Sequence, residues 1–282
     1  MSNPLAALAA HPEVAAATDQ VRGALTELRR HEALRRRSAE AAAEASVRAA
    51  RASAVLAGAR VPMSVVRDAV RGGEYPDDAS GLTVRGAVRV MATMEKVATT
   101  WQRAPWQALA SLHVAAAAGL VDDASLGRPR RAGEQPGDGH DLLDSQGRAV
   151  PAPDGPALGA RLDSLVDLLT GSWQAPAVIV AALAHAEVAV VRPFVAGNGV
   201  VARALGRAVL IGRGLDPRGL SVWEAALVTH GPLYPLTLAA YATEGRDGVV
   251  AWLTRFASAV VEGAAEGRAV CDAVLAGRLP TG

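Results

Sequence analysis

A single cysteine, Cys271, in 282 residues leaves no internal disulfide and no zinc site built on several thiolates. Lysine is as scarce: of 29 basic residues only Lys96 is one, so a Schiff-base or phosphate-binding lysine has a single candidate. Aromatic residues make up 4% of a chain that is 50% apolar, which means a core built mainly from alanine, valine and leucine. Neither sign of charge dominates. A net charge of +1 argues against a whole-molecule electrostatic surface for nucleic acid or anionic membrane, and no DNA partner is expected. Long apolar runs are missing too: the most apolar stretch, 175–191, is near the minimum for a membrane span and contains His185 and Glu187. The N-terminus has no basic segment leading into an apolar one, so neither a signal peptide nor a membrane partner is expected, and the cytoplasm is the expected compartment. With 20% charged residues and a positive mean hydropathy, the chain is too apolar for disorder.

What is present reads as helix almost throughout. Residues 13–37 are rich in Ala, Leu, Glu and Arg, with Val14, Val21, Leu25, Leu28 and Leu34 near a 3.6-residue period. A second helix is expected from Ser38 to Leu56, with Gly58 as its stop, and a short one from Pro62 to the Gly72–Gly73 pair. Helix resumes over 83–100 and again from Pro105 to about Gly119. Residues 127–159 then carry many Pro and Gly residues together with Arg128, Arg130, Arg131, Glu134, Asp138, Asp141 and Asp144. No helix survives that density of breakers, so the segment is read as a long loop with a short hairpin around Ser145–Gly147. Further helices are expected at 158–169, 175–191, 200–211 and, last, 248–275. The fold class is all-α, divided into an N-terminal helical region, 1–99, and a core, 100–282.

The most informative place is the loop Arg192-Pro-Phe-Val-Ala-Gly197-Asn198-Gly199, followed directly by the helix that carries Arg203. Two glycines flank an asparagine just before a helix N-terminus, where unpaired N–H groups and the positive end of the dipole suit a phosphate or another anion. Arg203, one turn into the helix, offers a forked donor to phosphate oxygens. The plainer reading is a tight turn between two core helices, and local physics alone leaves both open.

The pattern Arg192-Pro-Phe-x-x-Gly-Asn-Gly-x-x-x-Arg203 resembles the signature of the Fic (Fido) proteins, His-Pro-Phe-x-Asp/Glu-Gly-Asn-Gly-Arg-x-x-Arg. The resemblance extends upstream through Ala181–His185 and through Leu112-His113 and Leu126-Gly-Arg-Pro-Arg130. Downstream it takes in 210–215 and the spacing of Tyr234, Leu238 and Trp252, for a total of about residues 100–260. It implies a compact helical bundle in which AMP passes from ATP, with magnesium, to a hydroxyl of a target protein. A flap, here the loop 127–159, would position that protein target. In the family scheme the signature histidine is the general base, the acidic residue holds the metal, the Gly-Asn-Gly amides cradle phosphates and the arginines neutralise them.

Three departures decide the expectation. The base position is Arg192, which cannot accept a proton, and a general base is worth about 10²- to 10⁴-fold in rate. The metal-ligand position is Ala196 and the first signature arginine is Val200. Many Fic proteins also carry an inhibitory helix, Ser/Thr-x-x-x-Glu-Gly/Asn, whose glutamate pairs with a signature arginine. Ser53-Ala-Val-Leu-Ala57-Gly58 has that shape with the glutamate replaced, so both ends of the ion pair, Ala57 and Val200, have become apolar.

Among the remaining candidates, His185 lies two helical turns before Arg192 on the same face; it is either a relocated base or a packing histidine. Arg192 is the other catalytic candidate, and Gly197, Asn198, Gly199 and Arg203 are the expected ligand-binding residues. Arg128, Arg130 and Arg131 read as a solvated basic cluster, Glu187 as an ion-pair partner of an arginine, and His113 as a junction residue. No metal ligand set is apparent. The expected function is a Fic-like protein that has lost AMP transfer but keeps a pocket for ATP, another nucleotide or phosphate, bound without magnesium. Two alternatives stay open: an active, divergent nucleotidyl or phosphoryl transferase acting on a protein hydroxyl, and a structural interaction module.

Overall fold

The computed structural model describes residues 4–137, 142–171 and 174–279. Asp138 and Asp141 of the long loop lie outside the described residues. The expected all-α class is found: among the described residues extended pairing is confined to two isolated bridges, Ala118 with Val121 and Leu143 with Ala149. The second is the hairpin read around Ser145–Gly147. The helices are α1 (Pro4–Ala9), α2 (Pro12–Arg29), α3 (Ser38–Leu56), α4 (Met63–Val70), α5 (Ala79–Ala92), α6 (Met94–Thr100) and α7 (Pro105–Ala117). After the long loop come α8 (Gly155–Thr170), α9 (Ala177–Val191), α10 (Asn198–Gly212), α11 (Trp223–His230), α12 (Leu233–Thr243) and α13 (Gly245–Leu275).

Several boundaries differ from the periodicity reading, and at four of them a polar side chain bonds the backbone. The helix expected over 13–37 stops at Arg29, because His31 Nδ1 accepts the Ala33 amide at 3.2 Å and opens a 3₁₀ turn, Glu32–Arg35. The helix expected from 83 begins at Ala79, capped by Asp78, whose carboxylate accepts the Gly81 amide at 2.7 Å. It divides at Thr93, whose hydroxyl donates to the Val90 carbonyl at 2.8 Å. Asp154 likewise starts α8 at Gly155 rather than 158, accepting the Gly155 amide at 2.8 Å.

At the centre lies α9. It is apolar on all sides and buried on nearly all, as a helix surrounded by other helices must be. Helix α10 packs along it, and α12 and α13 close the far side; α2 runs along α13. Alanine and glycine let these helices approach closely: a Cβ at Gly263 on α13 would lie 2.4 Å from the Trp223 backbone nitrogen. The few rings are concentrated inside, with Trp101, Trp223, Trp252, Phe194 and Phe256 all buried. One buried cluster runs from Leu5 to Val274, so the boundary drawn at residue 99, inside α6, falls within a continuous core. The consequence for function is the position of α3. It packs on α5, α10 and α11 and brings Ser53–Gly58 against the helix that follows the signature loop.

Candidate functional site

The loop between α9 and α10 is built from its own side chains. Helix α9 ends as Arg192 takes a left-handed conformation (φ 48°), the one positive φ among the described non-glycine residues. That geometry costs a residue with a Cβ about 1–2 kcal/mol, so the surroundings must hold it. They do: the Arg192 carbonyl accepts from Arg130 Nε at 2.8 Å, and its guanidinium donates to the Val150 carbonyl at 2.5 Å. Asn198 closes the loop from inside, accepting the Phe194 amide and donating to the Phe194 carbonyl, both at 2.8 Å. Gly197 supplies a positive φ (76°) at the N-cap of α10. The amides of Gly199 and Val200 fall in the first turn, where no intrahelical acceptor exists.

His113 on α7 supports this loop from below. Its ring stacks on Phe194 at 4.0 Å and 8°, and its Nδ1 accepts the Gly127 amide at 2.9 Å. Burial pushes the imidazole down to about 4, partly offset by the Ala196 backbone, so the ring is neutral and keeps its acceptor.

The long loop is pinned to the signature loop rather than free. The Arg130 amide donates to the Pro193 carbonyl and the Gly137 amide to the Val195 carbonyl, each at 2.7 Å. The Arg130 side chain, 1% exposed, also donates to the carbonyls of Glu134 (2.6 Å) and Pro153 (2.9 Å). The expectation of a solvated basic cluster is therefore corrected. Arg130 is a buried brace, Arg128 forms a two-pronged pair with Glu134 at 2.7 and 2.9 Å, and Arg131 alone of the three is exposed. Carbonyls buried in irregular backbone need donors, and the Arg130 guanidinium supplies them to Arg192, Glu134 and Pro153.

These elements enclose a cleft of about 720 Å³. Its floor is Ala196–Val200 with Arg192, one wall is Val55–Ala57 from α3, and the other is Tyr234, Pro235 and Leu238 from α12. Ala57 and Val200 line the same cleft. Among the described lining residues there is no carboxylate and no imidazole. Among the described residues none fits a magnesium ion: Ala196 offers no side-chain oxygen, and no group of His, Cys, Asp or Glu suited to a metal occurs among them.

The predicted site residues are only partly brought together. Arg192, Gly197, Asn198, Gly199 and Arg203 all line the cleft. Arg203, however, is 2% exposed and already bonded: Nε to Ser53 Oγ (2.9 Å), Nη2 to the Ser53 carbonyl (2.8 Å) and Nη1 to Tyr234 Oη (3.4 Å). His185 is not in the cleft. It is wholly buried, bonded through Nε2 to Tyr234 Oη at 2.9 Å and ringed by Trp223, Trp252 and Phe256. Burial, with the nearby Arg203 charge, holds it well below the usual histidine range, so it stays neutral. Glu187 pairs with Arg161 at 2.8–3.0 Å and accepts the Tyr241 hydroxyl.

Sequence reasoning missed the role of Ser53 as the partner of Arg203. It also missed a buried ion pair one turn further along α10, Arg207 to Glu224 at 2.5 and 2.9 Å. Arg207 is held besides by the carbonyls of Gly219 (2.9 Å) and Ser221 (2.8 Å). The signal was there: Arg203 and Arg207 sit four apart inside an otherwise apolar helix, so both face inward.

This helical bundle, with a loop of His113-supported Gly-Asn-Gly at the N-terminus of a central helix and a flap strapped across it, has the Fic fold. Comparison with solved structures supports this directly. A Fic family protein from Desulfovibrio desulfuricans G20 superposes with a TM-score of 0.75 at 17% identity, over 96% of this chain and 77% of that one. Fic-1 from C. elegans, residues 134–508, gives 0.63 at 18% identity over 94% and 75%. A Fic domain containing signaling protein from Bacteroides thetaiotaomicron gives 0.61 at 17%, over 91% and 97%. No protein-family model and no curated protein sequence matches the chain.

Proposed function

We infer that this is a Fic-fold protein that binds a phosphate-bearing ligand, a nucleotide or a simpler phosphate, without magnesium and without transferring AMP. The observation that carries the reading is the chemistry of the cleft: the first residues of α10 and Arg192 line it, with Arg203 behind them held by Ser53, while no described lining residue carries a carboxylate or an imidazole. A guanidinium at position 192, where the family has its base, adds a fixed positive charge beside the amides. That charge takes over part of the neutralisation a metal would otherwise supply. The pinned flap, with Arg192 donating to Val150, supports a binding role, since the same side chain joins ligand site and strap.

Calorimetric titration with ATP, AMP and inorganic phosphate, with and without magnesium, tests this. Binding that is unchanged by magnesium and weakened by added salt is expected. A strict magnesium requirement, or no binding at millimolar concentration, contradicts it.

A further inference from the structure

The end of α10 remote from the signature loop borders a second, open groove of about 880 Å³. At 1.5 Å per residue it lies about 20 Å along the helix from Asn198, and it shares no described lining residue with the cleft. Its walls come from α3 (Ala42, Ala43), from α6 with the turn after it (Trp101–Arg103), and from α10 (Ile211). Glycine sets how closely two of them meet: a Cβ at Gly212 would lie 2.3 Å from the Ala98 carbonyl oxygen. The buried Arg207 fixes the turn that borders the groove. It donates to the Gly219 and Ser221 carbonyls at 2.9 and 2.8 Å and pairs with Glu224, while Asp216 accepts the Leu220 and Ser221 amides at 3.0 and 2.9 Å. Arg218 stands exposed on that braced turn.

The groove divides by chemistry. Met91, Met94, Trp101 and Ile211, buried or half-buried, give an apolar floor, and methionine adapts to whatever packs on it. Arg103 and Arg218 at the rim are exposed, and neither has a carboxylate partner among the described residues; the one carboxylate among the described lining residues is Glu95. Arg35 and Arg36, also exposed and without a carboxylate partner among the described residues, stand directly before α3. A chain of net charge +1 thus gathers spare cations around one groove, which calls for an acidic occupant. The walls decide its form. A docking strand needs a sheet edge, and the described residues have only isolated bridges. A polyproline segment or single-stranded nucleic acid needs exposed rings, and the one ring among the described lining residues, Trp101, is 2% exposed. The small side chains of Ala42 and Ala43 let another helix approach closely.

We propose that this groove docks an acidic amphipathic helix of a partner protein, its apolar face on Met91, Met94 and Ile211 and its carboxylates against Arg103 and Arg218. The Arg207–Glu224 pair then holds the surface in shape before the partner arrives.

The test is fluorescence anisotropy of labelled, stapled helical peptides of about 18 residues, each long enough to span the groove, titrated with the full chain. All carry leucine along one face and differ only in having glutamate, glutamine or lysine beside it. The glutamate peptide is expected to bind with Kd of about 1–100 μM, about tenfold tighter than the glutamine peptide and about a hundredfold tighter than the lysine one. Added salt should narrow these differences. Arg103→Glu combined with Arg218→Glu, both at exposed positions, should invert the order. A glutamate peptide with its leucines scattered around the helix should bind about tenfold more weakly or worse. No binding of the glutamate peptide at about 1 mM, equal binding of the lysine peptide, or an order unmoved by the double reversal overturns the proposal. So does tighter binding of an oligouridylate of about 12 nucleotides, which would make the groove a nucleic-acid surface. A dimer in light scattering that the double reversal dissolves would give the groove to a second copy and overturn it as well.

Discussion

Replacing Arg203 with alanine separates a pinned arginine from a ligand-facing one. The sequence pattern alone suggests a pocket-facing side chain whose loss would hardly affect stability. In the fold the guanidinium is 2% exposed and makes three bonds, two of them short ones to Ser53 and the third a long one to Tyr234. Hydrogen bonds to a charged group contribute about 1.5–3 kcal/mol each, offset by the cost of burying the guanidinium itself. Truncation also takes the donor from Ser53 Oγ, whose neighbouring carbonyl keeps the Ala57 amide, and leaves a void between α3 and α10. The net loss is about 2–4 kcal/mol, a fall of roughly 3–7 °C in melting temperature for a chain of this size. Urea denaturation of Arg203→Ala, Ser53→Ala and the double variant measures it. Ser53→Ala removes one acceptor and should cost about 1 kcal/mol, with at least about 1 kcal/mol of coupling between the two sites. An Arg203→Ala protein within about 0.5 kcal/mol of wild type would refute the pinning and return Arg203 to the pocket.

Three other outcomes follow from the same geometry. Glu224→Ala leaves the Arg207 guanidinium buried without its carboxylate and should destabilise by about 3–5 kcal/mol, read as a shifted urea midpoint; a loss under about 1 kcal/mol would show the pair relaxed to solvent. His113, pushed down to about 4, and His185, held well below 6.5, stay neutral in the fold while their unfolded counterparts protonate near 6.5. The unfolded state then binds more protons below pH 6.5, so stability is full above that value and falls as pH drops toward 4. His113→Phe should flatten part of that slope in denaturation curves at pH 8, 6.5 and 5; a slope unchanged by the variant contradicts the assignment. Finally, mass spectrometry after incubation with ATP, magnesium and a generic protein should find no AMP adduct; an adduct that vanishes with His185→Ala would restore the transferase alternative.

How much was legible in the sequence varies with the range of the interaction involved. Periodicity located α3, α7 and α9 closely because their apolar faces are continuous, and breakers marked the loop and its hairpin. Boundaries at His31, Asp78 and Asp154 were misplaced, since a side-chain cap overrides helical propensity within a residue or two. The signature loop was visible as a motif, and Asn198 and Gly197 do there what short-range chemistry implies. What stayed hidden depends on long-range packing. The 150-residue separation between Ser53 and Arg203 and the 62 between Arg130 and Arg192 carry no local pattern. Arg130 therefore read as a surface charge although its side chain is buried.

The most direct test of the central claim is a crystal structure of the full chain grown with inorganic phosphate or a phosphate monoester and no magnesium. The account predicts density for one phosphate against the amides of Gly199 and Val200, with the Arg192 guanidinium within hydrogen-bond distance and Arg203 still bound to Ser53. A cleft left without ligand density at saturating concentration, or a phosphate seen only when a metal is added, would contradict it.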